Sequence, residues 1–134
     1  MWSTGAMTLP SALPPEAHTF LAERHLGTLS TLRADGTLHV CAVGFTWDVD
    51  RGVVRVITRD GSQKVRNVER APRAAVGQVD GGRWLSLEGP ARVTRDPEEV
   101  AEAVARYTSR YQDPRPNPER VAIEITVERV LGRA

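Results

Sequence analysis

Glycine turns cut the first 82 residues of this chain into short extended runs. Asp35-Gly36, Asp50-Arg51-Gly52, Gly61-Ser62 and Asp80-Gly81-Gly82 each separate stretches rich in β-branched and apolar residues. Aspartate–glycine pairs tolerate the positive φ angles that tight turns demand. The runs predict strands over about 26–32, 38–47, 53–58, 73–79 and 83–94. A sixth strand is predicted where Val121, Ile123, Ile125, Val127 and Val130 mark a last apolar stretch, alternating cleanly over residues 121–127. Gly89-Pro90 inside the fifth run predicts a bulge or an edge position. Six mostly antiparallel strands with short helices in 134 residues favour a mainly β fold, a small barrel that is closed or nearly so, because closure removes exposed edges.

Three helices punctuate these strands. Pro14-Pro15 precedes the first, which is expected to run to about His25 with Ala17, Phe20, Leu21 and Leu26 on one buried stripe. The second spans about Ser62 to Ala71 and is stopped by Pro72. The third opens on Asp96-Pro97-Glu98-Glu99, an N-cap acid, a first-turn proline and a glutamate placed for a capping box. It should reach Tyr111, with Val100, Ala103, Val104, Tyr107 and Tyr111 on one packed face. Gln112 to Pro118, with three prolines, reads as a loop. Residues 1–15 read as a flexible N-terminal extension before a single domain, 16–134.

Charge and composition narrow the function. Eighteen basic and seventeen acidic residues give a net charge of +1 without long blocks of either sign, which argues against a nucleic-acid surface. No apolar run approaches the roughly 20 residues of a membrane span, and the first fifteen residues lack the pattern of a signal peptide. The sole cysteine, Cys41, can form no intrachain bridge, so a cytoplasmic protein acting on a small molecule is expected. His39 and Cys41 share a strand face, and His18 and His25 lie seven residues apart, but neither pair reaches the three or four ligands that a metal usually takes, so no metal site is expected. Cys41 is better read as a small buried apolar side chain. No Ser-His-Asp order or paired-carboxylate motif stands out, as expected where a cofactor carries the chemistry, and no catalytic side chain is assigned.

The stretch Ile57 to Pro72 points to the cofactor. A β-run ends at Ile57-Thr58, a Gly-Ser pair turns the chain, and a helix opens with Gln63, Lys64 and Arg66 in its first turns. Helix-opening amides lack intrahelical partners, the macrodipole adds positive charge there, and nearby cations would complete a phosphate cradle. The plainer alternative is that Ser62 is an ordinary N-cap and the basic side chains face water.

The order of elements and several strings resemble the split-barrel flavin and deazaflavin oxidoreductases, the superfamily of pyridoxamine-phosphate oxidase. The strings are Glu23-Arg24-His25-Leu26, Thr31-Leu32-Arg33-Ala34-Asp35, Ala42-Val43-Gly44-Phe45-Thr46, Gly61-Ser62-Gln63-Lys64, Gln78-Val79-Asp80-Gly81, Arg83-Trp84-Leu85-Ser86-Leu87-Glu88-Gly89 and Arg115-Pro116-Asn117-Pro118. Within that superfamily they are most similar to actinobacterial biliverdin reductases that use the deazaflavin coenzyme F420. The resemblance implies a six-stranded antiparallel split barrel that forms a homodimer, with two cofactor sites at the subunit interface. It implies that Ile57, Thr58, Ser62, Gln63 and Lys64 hold the cofactor's phosphate and tail, that His39, Val40, Cys41 and Ala42 with Gln78, Val79 and Asp80 border the deazaflavin ring, and that Trp84 lies near the site. Arg59-Asp60 stands where relatives tend to carry small residues, and such a pair would either bind or repel the anionic tail.

The resemblance further implies hydride transfer from reduced F420 to the central methine carbon of biliverdin, giving bilirubin, with a proton from solvent, substrate or an unidentified group. A flat conjugated dianion needs an apolar or aromatic wall and cations for its propionates, and Trp47, Trp84, Arg66 and Arg83 are the candidates. An FMN-dependent oxidoreductase on the same barrel, and a carrier of a flavin, deazaflavin or tetrapyrrole, remain the alternatives.

Overall fold

The computed structural model describes residues 10–134. After a 3-10 turn at Pro10–Ala12 come α1 (Pro15–Ala22), β1 (Gly27–Leu32), β2 (Leu38–Val43), β3 (Phe45–Asp48), β4 (Val53–Arg59), α2 (Gln63–Arg70), β5 (Arg73–Asp80), β6 (Arg83–Thr94), α3 (Pro97–Arg110), β7 (Arg120–Thr126) and β8 (Arg129–Arg133). The strands pair antiparallel in the order β2-β1-β5-β6-β7-β4-β3, with β8 added alongside β6. The end strands β2 and β3 are halves of one extended segment, so the path returns to where it began. This is a split barrel.

Its core joins Leu29, Phe45, Val54, Val56, Val76, Leu85, Leu87, Ile123 and Ile125 from the strands to Ala17, Phe20 and Leu21 from α1 and Val65 and Val68 from α2. The twelve-residue β6 ties the barrel together by changing partner along its length. Residues 84–88 pair with β8 and residues 91–94 with β7. The Gly89-Pro90 step lies at this exchange, and a Cβ on Gly89 would stand 1.9 Å from the carbonyl oxygen of Thr126. Only glycine lets the two backbones pass so closely.

The six predicted strands are six extended segments, two of them broken. The second breaks at Gly44, because the Phe45 carbonyl is taken by side chains of the third helix: Arg110 Nη1 donates to it at 2.7 Å and the Tyr111 hydroxyl lies 2.9 Å away. The sixth breaks after Thr126, where the amides of Val127 and Glu128 bond to Gly52 in the turn before β4 and to Glu88 on β6. The first helix stops at Ala22 rather than His25. Glu23 is extended, its amide closing the helix on Thr19 and Phe20, and this leaves Leu26 64% exposed instead of on the buried stripe. On α3 only Ala103 of the five expected positions is fully buried, since the helix lies against the outside of β3, β4 and β7. Asp96 caps α3 as expected, accepting from the Glu99 amide at 3.0 Å, but the Glu99 carboxylate turns to Arg92 and Thr94 and does not close a capping box. Of the expected N-terminal extension, residues 1–9 lie outside the described residues, while Leu13 packs into the core.

Candidate functional site

β4 ends at Arg59, and Gly61, at φ +78°, turns the chain into α2. Ser62 occupies the N-cap position but makes no cap bond; its Oγ lies 3.3 Å from Thr58 Oγ1. The first amides of α2 are therefore left without the side-chain acceptor that an ordinary N-cap supplies. Arg66 folds back on the same turn, donating to the Gly61 carbonyl and to Gln63 Oε1, each at 2.7 Å. Gln63 in turn donates to Asn67, which donates to Thr31 on β1. This chain of bonds fixes the strand-to-helix turn and with it the start of Lys64.

Lys64 faces a cavity of about 440 Å³. One wall is the β2–β3 break, Ala42 to Gly44; a second is the end of β4, Ile57 to Arg59; Tyr107 of α3 and the proline-rich loop with Arg120 complete it. Arg59, Lys64, Arg115 and Arg120 line it against a single acid, Asp113. Among the described residues Lys64 and Arg115 make no ion pair, and Arg59 has only Glu119 at 3.9 Å. Asp60 is turned away: Arg95 grips both its oxygens at 2.8 and 2.9 Å and holds its carboxyl below the ordinary aspartate value. Arg59 is thereby left to the cavity. Of the expected cofactor residues at this turn, Ile57, Thr58 and Lys64 line the cavity and Ser62 and Gln63 do not; a free ammonium and three guanidinium groups fit a multiply charged anion.

The other residues singled out from the sequence are distributed differently. Of the β2 group only Ala42 reaches this cavity. His39 and Cys41 point to the opposite face of the strand, opposite Thr31 and Leu29, and Val40 is on the outer face. Gln78 is buried, its amide donating to the Phe20 carbonyl and its oxygen accepting from Arg110. Val79 and Trp84 pair across the outer face of β5 and β6. None of Gln78, Val79, Asp80 and Trp84 lines the Lys64 cavity of its own chain.

The expected substrate residues are also separated. Trp47 lines a different groove, about 510 Å³ between α1 and α3, beside Arg106 and Arg110. Its indole N–H donates to His18 Nδ1 at 3.0 Å, and no lining residue is shared with the Lys64 cavity. Arg83 is saturated by carboxylates, with Glu23 at 2.9 and 3.0 Å and Asp80 at 2.6 Å. Hydrogen bonds from Arg83 and then His25 hold the Glu23 carboxyl down to about 2. Glu23, His25 and Asp80 bring three potential metal-ligand atoms within 4.8 Å of one another, but the Arg83 guanidinium already sits on both carboxylates. A propionate would have to compete with these carboxylates for Arg83, and with a backbone carbonyl and Gln63 for Arg66.

Tyr107, Asp113, Arg115 and Arg120 are among the lining residues that the sequence did not assign to a site. Tyr107 fell on the helix face read as core, and the basic residues fell in or beside a segment read as a loop. Their signal is an i, i+4 tyrosine pair running straight into a proline-stiffened basic loop.

Comparison with known proteins agrees with the barrel. The chain is 56% identical over 122 residues to an F420H(2)-dependent biliverdin reductase of Mycobacterium tuberculosis, covering 91% of this chain and 89% of that one. A solved F420 reductase superposes with a TM-score of 0.73 at 28% identity, covering 88% of this chain and 98% of that one. A conserved hypothetical protein of Mycobacterium tuberculosis superposes at 0.78 with 25% identity, covering 91% and 85%. The family model described as pyridoxamine 5'-phosphate oxidase matches residues 13–134, from the buried Leu13 to the last residue. With fold and sequence in agreement over nearly its whole length, the chain belongs to the pyridoxamine 5'-phosphate oxidase family.

Proposed function

We propose that this chain is an F420H2-dependent oxidoreductase that reduces biliverdin to bilirubin. The relative at 56% identity carries that activity in its name, and the observation that carries the reading here is the Lys64 cavity, with four cations against one acid. FMN bears one phosphate, whereas F420 bears a phosphodiester and a string of carboxylates. A cavity with this excess of positive charge suits the longer anion. When bound, the reduced deazaflavin supplies the hydride. The chain's own part is to seat the phosphate on the α2 amides and Lys64, to guide the tail past Arg59, Arg115 and Arg120, and to fix the ring against the β2–β3 break.

A homodimer would account for two of the residues that stand away from this cavity, Val79 and Trp84. Leu38, Val40 and Val79 are 64%, 56% and 73% exposed on the outer face of the β2-β1-β5 sheet, where Leu32 joins them. Large apolar side chains exposed on one sheet face fit an interaction surface. Pairing two copies through it would bury these side chains and bring Val79 and Trp84 of one copy towards the cavity of the other. Leu38→Glu is expected to convert the dimer to a monomer in light-scattering measurements and to weaken cofactor binding; a monomeric wild type would remove this arrangement.

No helix among the described residues is long and apolar enough to cross a membrane. We propose the cytoplasm as its compartment, a reading that the single cysteine supports. The test of function is to mix the protein with reduced F420 and biliverdin, following both absorbance bands, with FMN titrated in parallel. Bilirubin appearing in step with F420 oxidation is the expected result. Binding of FMN alone would move the assignment to the flavin branch, and F420 binding without turnover would make the protein a carrier or a reductase of another acceptor.

A further inference from the structure

α3 presents the one aromatic ring in a cavity lined otherwise by cations, amides, an acid and the aliphatic Ala42, Val43, Ile57 and Pro114. Tyr107 is half-buried, and its hydroxyl makes no hydrogen bond among the described residues. Its ring is set by neighbours rather than free to swing. It meets the Tyr111 ring at 4.9 Å between centroids with a 42° tilt, a favoured aromatic geometry. Tyr111 is itself clamped, its hydroxyl within 2.8 Å of the His25 carbonyl and 2.9 Å of the Phe45 carbonyl, with the Arg110 guanidinium 5.2 Å from its ring. On the other side lies Gly44. A Cβ there would stand 2.8 Å from a Tyr107 ring carbon and 3.2 Å from one of Tyr111, so the rings close over the strand break only because residue 44 has no side chain.

We propose that Tyr107 is the aromatic wall of the cofactor site, the surface on which the conjugated ring system of the bound deazaflavin packs, and that Gly44 and Tyr111 position it. This rests on the assignment of F420 to the Lys64 cavity. Arg59, Lys64, Arg115 and Arg120 serve the charged end of such a ligand and offer its uncharged, flat end little. Of the lining residues only Tyr107 is aromatic, and it is seated against Gly44, whose missing side chain lets the ring lie at the cavity wall. The ring of Tyr107, not its hydroxyl, is the working part.

The test is equilibrium titration with F420, read as the dissociation constant and as the shift of the bound cofactor's absorbance band, with thermal unfolding of each cofactor-free variant as a control on folding. Tyr107→Phe should hold the affinity within about two-fold and keep the band shift. Tyr107→Leu should weaken binding about ten-fold and diminish the shift. Gly44→Ala, whose added methyl displaces the ring, should weaken it comparably, and the double variant should be no worse than Tyr107→Leu alone, because both changes remove one contact. Should Tyr107→Leu fail to fold, Gly44→Ala and Tyr107→Phe still decide the matter. Wild-type affinity and an unchanged band in Tyr107→Leu, alongside weakened binding in Lys64→Ala, would overturn the wall while leaving the cofactor assignment intact. Absence of F420 binding by the wild type would overturn that assignment and the wall together.

Discussion

Asp48→Ala is expected to destabilise the fold by about 3–5 kcal/mol, the usual cost of removing one partner from a buried ion pair. Asp48 and Arg55 side chains are each 2% exposed, and Asp48 Oδ2 accepts from Arg55 Nη1 at 2.9 Å. Its other oxygen accepts the amides of Asp50 and Arg51, closing the β3–β4 turn, and Arg106 on α3 approaches Oδ2 at 3.2 Å. Burial alone would push this carboxyl up; the Arg55 bond, the Arg51 amide and the charges of Arg106 and Arg55 outweigh it and hold it below its ordinary 3.8. Without Asp48, Arg55 keeps only Glu124 at 3.4 Å, while Glu124 is shared with Arg92. Urea unfolding measures the loss. Asp48→Asn, which keeps an acceptor for the turn, should lose less. Because the folded carboxyl ionises below its unfolded value, its contribution is present above about pH 3.8 and fades as the pH falls further, so wild type and variant should converge in acid. A loss below about 1 kcal/mol would mean that the arginine is compensated by water or by Glu124 alone. The effect reaches the site as well, since the Arg106–Asp48 contact ties α3, and so Tyr107, to β3.

The barrel was legible in the sequence because its signals are local. Turn glycines at 36, 52, 61 and 81 all adopt positive φ, and period-two alternation marks a strand wherever one face is buried. Both strand breaks were hidden because their causes are distant in sequence. The break at Gly44 comes with the bonds that Arg110 and Tyr111 make to the Phe45 carbonyl, and the β7–β8 break with the bonds to Gly52 and Glu88. The helix-opening cradle was likewise legible, as a serine, a glutamine and a lysine after a glycine turn. Its counterpart in the loop after α3 was not, because prolines announce only that a loop exists. Pairings of charge were the least legible of all: Arg66 and Arg83 look like free cations in a string of letters, yet each is spent within its own chain.

Lys64→Ala is expected to weaken F420 binding by about 1.5–3 kcal/mol, the range for a hydrogen bond to a charged group, or roughly 10- to 160-fold. Lys64 is unusual among this chain's basic residues in serving nothing else that the structure records: it makes no ion pair or side-chain hydrogen bond among the described residues, yet it is half-buried on the wall of the cavity. Its removal therefore costs the fold little, and the melting temperature of the cofactor-free protein should hold. That separation is what makes it a cleaner probe than Arg66, whose loss would also free the Gly61 turn, or Trp84, whose loss would leave a hole on the sheet. Salt gives a second reading. Wild-type affinity should fall as ionic strength rises, because the cations at the cavity mouth are screened, and the variant should fall less steeply, having one charge fewer to screen. Lys64→Arg should recover part of the affinity, since the charge returns with a broader head group. An unchanged dissociation constant in Lys64→Ala would place the phosphate elsewhere on the barrel. A loss confined to F420, with FMN bound weakly by both proteins, would show that the cavity reads the deazaflavin's longer anionic chain rather than a single phosphate.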